Sequence, residues 1–104
     1  MNLMSSTTTS PINQAWMFQR DGKLNEAIAE FERVLKASPD DIDALYGLGL
    51  TLRYAGKKAE AIEYFQQALK LVEQGHANER IDSNMDRWLM LTRMIRQRLS
   101  ELGA

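Results

Sequence analysis

Apolar residues along the chain recur at spacings of three and four in five separate groups, the spacing of helices that each bury one face. Ile12, Ala15, Trp16 and Phe18 predict a helix from Pro11 to Asp21. Leu24, Ala27, Ile28, Phe31, Val34 and Leu35 predict a second from Leu24 to Ala37, with Glu26, Glu30, Glu32 and Lys36 largely off the stripe. Ala44, Leu45, Leu48, Leu52 and Ala55 predict a third from Asp41 to Tyr54. The fourth, Ala59 to Glu73, turns Ala61, Ile62, Phe65, Ala68, Leu69 and Val72 inward, and the fifth, Asn84 to Leu102, carries Met85, Trp88, Leu91, Ile95, Leu99 and Leu102.

The punctuation between these groups agrees with them. Ser10 before Pro11 is a helix start, since the hydroxyl can accept a free backbone N–H and proline suits the first turn. Gly22 and Gly56 supply the left-handed backbone that closes a helix at little cost. The two-residue gap at Gly22 and Lys23 turns the second helix back against the first. Ser38 to Asp41 interrupts the chain again, with Asp40 as the expected cap of the third helix and Asp41 and Asp43 favouring its positive end. Ser83 and Asp86 approximate a capping box for the fifth. Gly47 and Gly49, each costing about 1 kcal/mol inside a helix relative to alanine, point to a close approach by a neighbouring helix. Met1 to Thr9 is rich in serine and threonine without apolar periodicity and reads as a flexible tail.

The second and fourth helices repeat one phrase. Gly22, Lys23, Glu26, Ala27, Ile28, Phe31, Leu35 and Lys36 recur 34 residues later as Gly56, Lys57, Glu60, Ala61, Ile62, Phe65, Leu69 and Lys70. A period of that length belongs to stacked helical hairpins. In the second hairpin, Leu45, Leu48, Gly49, Leu52, Ala61 and Phe65 stand at the spacing of the tetratricopeptide repeat pattern, and the chain resembles that family. The first hairpin fits at Ala15, Phe18, Ala27, Phe31 and Pro39 but has Pro11 and Gln14 where large apolar residues stand. Trp88, Leu91, Thr92 and Ile95 match the opening of a third repeat, displaced by about nine residues. The resemblance implies an all-α, right-handed hairpin solenoid of five helices. Its parts are a tail at 1–9, repeats at 10–41 and 42–75, a linker at 76–83 and a capping helix at 84–102.

Composition narrows the function. The 104 residues leave room for one domain, and 13 basic against 14 acidic side chains give a net charge of −1, which favours neither nucleic acid nor an anionic membrane as partner. There is no cysteine, so disulfides, thiolate metal sites and thiol catalysis are excluded. No apolar run is long enough to span a bilayer and the amino terminus lacks a signal-peptide pattern, which points to a cytoplasmic location. His76 is the only histidine and has neither cysteine nor a second imidazole beside it. Glu26, Glu30, Glu60 and Glu63 lie at helical spacing with lysine and arginine, as on a solvated ion-paired face. Gly47 and Gly49 sit within a helix and make no phosphate loop. No catalytic constellation, cofactor motif or metal set is present, and a non-enzyme is expected.

The resemblance also implies where a partner would sit, because the first helix of each hairpin lines the concave face in this family. That face would carry Trp16, Gln19 and Arg20, then Asp43, Tyr46, Leu50, Arg53 and Tyr54, then Leu89, Arg93 and Arg96. Aromatics among arginines are the residue types that anchor protein interfaces, and guanidiniums suit carboxylates, so an acidic-apolar peptide or protein segment is the expected ligand. Family members that grip chaperone carboxy-terminal peptides use lysine and asparagine at positions where this chain has Ile12, Trp16 and Gly47, so that mode is not expected. The alternative for the same residues is that Trp16 and Tyr46 pack the core and the arginines solvate the surface. A second functional class is self-assembly: Met90 and Met94, one turn apart on the fifth helix, would form a homodimer patch, or else pack peripherally against the connecting loop. A regulatory subunit of a separate enzyme is a third.

Overall fold

Five helices follow one another: α1 Pro11–Arg20, α2 Leu24–Ala37, α3 Ile42–Tyr54, α4 Lys58–Asn78 and α5 Met85–Glu101, with no strand among the described residues. The computed structural model describes residues 10–78 and 85–104, and side chains throughout those ranges except at 76–78 and 85–88. The expected tail 1–9, and the expected caps and stripe members Ser83, Met85, Asp86 and Trp88, therefore lie outside the described backbone or side chains. Each helix packs on its neighbours in sequence, and α1 also meets α3 across the boundary between the hairpins. The molecule is 21 Å thick in its thinnest direction, the depth of two helix layers.

The start and stop signals work as their chemistry predicts, with two shifts. The Ser10 hydroxyl accepts the Asn13 N–H at 3.3 Å. Gly22 and Gly56 adopt φ of 80° and 82°, and the amides beyond them reach back alike: Lys23 N–H donates to the Phe18 carbonyl and Lys57 N–H to that of Leu52, both at 2.8 Å. At α3, Asp41 is the cap in place of Asp40, its Oδ1 accepting the Ala44 N–H at 3.1 Å. A turn from the Asp41 N–H to the Ser38 carbonyl keeps Asp41 extended, and the helix begins at Ile42, which packs against the core. α4 continues to Asn78, beyond the Glu73 expected from its stripe. Gly75 alone, at about 1 kcal/mol, does not stop a helix already anchored by Phe65, Ala68 and Val72.

The core is built around α3, which is buried on nearly every side: Ala44, Leu45, Tyr46, Gly47, Leu48, Gly49, Thr51 and Leu52 are all buried. A helix enclosed by others on both flanks keeps only a narrow open stripe, here Asp43, Leu50 and Tyr54. Its two glycines receive the equivalent phenylalanines of the two hairpins. A side-chain carbon at Gly47 would overlap the ring tip of Phe31, and one at Gly49 would lie 2.8 Å from the Phe65 ring. Both rings are fully buried. The close approach read from the glycines is thus made twice, once by each copy of the repeated phrase.

Candidate functional site

α5 ends as α1 and α3 do. Gly103 has φ 79°, and the Ala104 N–H returns to the Leu99 carbonyl at 3.0 Å. Counting back from this shared turn sets α5 in register with α3. Leu99, Ile95 and Leu102 then match Leu52, Leu48 and Ala55 as inward residues. All three are buried. Arg98 stands for Thr51, the residue of α3 that touches the preceding first helix, and Arg98 does reach that helix: its Nε donates to the Tyr46 hydroxyl at 3.2 Å.

Along α1 and α3, the shared face has a half-buried floor. Trp16 meets Phe31 edge-on, ring centroids 5.1 Å apart, and leaves part of its surface open. Gln19 ties the two helices together, its Nε2 donating to Thr51 Oγ1 at 2.9 Å and to the Gly47 carbonyl at 3.4 Å. The Thr51 hydroxyl, wholly buried, donates in turn to the Gly47 carbonyl at 2.8 Å. Leu50 is half-buried, Arg20 and Asp43 are exposed, and Tyr54 is 59% exposed. Asp43, Leu50 and Tyr54, at helical spacings of seven and four, share one side of α3.

Between α3 and α5 lies a compact charged cluster. Arg53 Nη1 is 3.0 Å from Glu101 Oε1, and Arg98 Nη1 donates to both Glu101 oxygens at 3.1 Å. Hydrogen bonding to Tyr46, and then to Glu101, pushes the Arg98 guanidinium up from an already basic value. Hydrogen bonds from Arg98 hold the Glu101 carboxyl below the usual glutamate range, outweighing its desolvation, with the charges of Arg98 and Arg53 and a bond from Gln97 adding to the effect.

Three of the sequence expectations change here. Tyr46 is only 9% exposed, with its ring 5.6 Å from that of Phe65 and its hydroxyl taken by Arg98, so it forms a wall of the core and not an open contact. Arg96 pairs with Glu73 of α4 at 2.6 Å and does not join Arg53. In the register fixed by Gly103 it occupies the place of Gly49, where α3 admits a phenylalanine from its own hairpin partner. Leu89, 50% exposed, lies seven residues back on the same flank, and Arg93 is exposed. Met90 is 57% exposed, but Met94 packs against the core, so the two methionines do not form one open patch. The register set by Trp88 does not bring Arg98 and Glu101 to α3; Gly103, a third copy of the closing glycine, is the sequence signal that does.

Burial, then Glu32, Glu60 and Glu63, push the Tyr64 hydroxyl up. Among the described residues no three side chains of histidine, cysteine or carboxylate type gather to hold a metal. No helix among them is long and apolar enough to cross a membrane.

Comparison with known proteins bears on these observations. The sequence profile of the tetratricopeptide repeat matches residues 12–76. A DnaJ homolog subfamily C member 7 homolog of Schizosaccharomyces pombe is 36% identical over 74 residues, a stretch that takes in 65% of this chain. The chain spans about 15% of that relative's length.

Proposed function

The chain belongs to the tetratricopeptide repeat family, a repeat that generally mediates protein–protein interaction, and from this premise we propose that it is a non-enzymatic module holding an acidic-apolar peptide or protein segment along the face shared by α1, α3 and α5. The observation that carries the reading is the arrangement on α3: an exposed Tyr54 ring beside a half-buried Leu50, with Arg53 next to them. An interface of this kind draws its residence time from aromatic anchors and its association rate from charge. Trp16 and Arg20 of α1 and Arg93 of α5 extend the face on either side. Proteins are the expected partners, with no nucleic acid, membrane or cofactor called for, and a cytoplasmic location belongs to the same reading.

The DnaJ relative's partners are not carried over. At the positions where chaperone-peptide binders of this family use lysine and asparagine, Ile12 and Trp16 are half-buried and Gly47 lies under Phe31, which leaves no amide or ammonium to grip a terminal carboxylate. Affinity capture from the native host identifies the partner, and calorimetric titration then tests the face. Tyr54→Ala and Arg20→Glu are expected to weaken binding at least tenfold with the melting temperature unchanged. Full affinity in both variants would move the interface elsewhere.

A second reading, self-association through α5, rests on the adjacent exposed side chains of Leu89 and Met90. Because Met94 is packed inward, the informative variant is Met90→Glu alone. Sedimentation should then show a wild-type dimer become monomeric, and a wild type already monomeric at high micromolar concentration rejects this reading.

A further inference from the structure

We infer that Arg53 and Arg98 form a carboxylate-binding fork, that Glu101 occupies it in the free protein as an internal stand-in, and that an acidic side chain of the bound segment displaces Glu101. The inference rests on the proposed binding face and deepens it, naming the subsite that selects acidic ligands and the contact that competes with them.

The geometry separates the fork from its occupant. Arg98 is aimed by Tyr46, whose buried ring and hydroxyl hold Nε at 3.2 Å, so the guanidinium keeps its direction when the carboxylate leaves. Arg53 approaches from α3 and meets Oε1, an oxygen that Arg98 also holds. Two guanidiniums on one carboxylate leave the cluster with a surplus positive charge. The side chains of Arg53, Arg98 and Glu101 are 34%, 31% and 33% exposed, open enough for a ligand to reach the guanidiniums without unfolding α5.

Glu101 is a poor permanent occupant. It stands in the last turn of α5, where the helix dipole presents its negative end and disfavours an anion. Its side chain is flexible and partly solvated, and ion pairs of that exposure are weakly held. When displaced it can turn to water or stay near Gln97, whose amide already lies 3.5 Å from Oε2. A ligand carboxylate would gain the same charge-assisted contact of both its oxygens with Arg98 Nη1 and add apolar contacts beyond it.

The test uses the full chain and a fluorescein-labelled ten-residue peptide alternating glutamate and leucine, followed by anisotropy, with a glutamine–leucine peptide as control. Glu101→Gln, which keeps shape and removes the charge, is expected to tighten binding of the acidic peptide about fivefold, the equivalent of one partly exposed ion pair. Adding Arg98→Gln should abolish the gain, and the control peptide should not distinguish the proteins. Thermal melts establish that each variant is folded. Equal or weaker binding by Glu101→Gln overturns displacement. If that binding is nonetheless lost in Tyr54→Ala, the face stands and only the fork falls. Absence of binding to either protein also overturns the fork, while the native-partner titration continues to judge the face independently.

Discussion

Replacing Gly47 by alanine sets two effects of opposite sign against each other. Alanine is better than glycine in a helix by about 1 kcal/mol, so propensity alone predicts a more stable protein. The added methyl, however, would overlap the Phe31 ring tip and lie 3.0 Å from Trp16 Cζ2. Phe31 is fully buried and locked edge-on against Trp16, so the ring has little room to yield. Overpacking of a tight core costs about 1 to 3 kcal/mol, and the severity of this overlap puts it at the upper end. The net expectation is a loss of about 2 kcal/mol, equivalent to a fall in melting temperature on the order of 10 °C for a domain this size. Differential scanning calorimetry measures it, with Ala29→Gly on the exposed side of α2 calibrating the propensity term. Phe31→Leu should make Gly47→Ala less harmful by at least about 1 kcal/mol, the range of coupling expected for touching residues. A melting temperature unchanged or raised in Gly47→Ala would refute the close-approach argument.

Phe65→Ala should cost about 3 to 5 kcal/mol, because the ring is fully buried against Gly49 and Tyr46; urea titration with an unchanged midpoint would contradict that packing. Gln19→Ala should cost about 1 kcal/mol by removing the tie from α1 to Thr51 and the Gly47 carbonyl, and no loss of stability would show that the tie does not hold the hairpins together. For Glu101, whose folded-state pKa is depressed by Arg98, the stabilisation is complete above the ordinary glutamate range and lost as the pH falls through the depressed value. The difference in melting temperature between the wild type and Glu101→Gln should therefore narrow as melts are taken from pH 7 towards pH 3, and a difference constant with pH would refute the contact.

The helices, their order and their closing turns were legible because each rests on local chemistry: stripe spacing, Ser10, Gly22 and Gly56. The buried pairing of Gly47 and Gly49 with the phenylalanines was legible in kind, since two costly glycines within one helix call for a close neighbour, but their respective partners emerge only from three-dimensional packing. The candidate face was legible on α1 and α3, where the repeat fixes the phase. It was misphased on α5, since aligning from Trp88 rather than Gly103 shifts the helix by four residues, one turn and a further 40°. In the Gly103 register Arg98 and Glu101 come to α3, while Arg96 pairs with Glu73 of α4. Tyr46 was ambiguous for a different reason: a tyrosine carries both a ring suited to the core and a hydroxyl suited to the surface, and only the position of Arg98 decides between them.

The account stands most directly on which surface a partner covers. Hydrogen exchange of the full chain with and without its captured partner, read by mass spectrometry, should show slowed exchange in α1, in α3 and in the second half of α5, with α2 and α4 unchanged. Protection concentrated in α2 and α4 would contradict the proposed face and assign binding to the surface those two helices form.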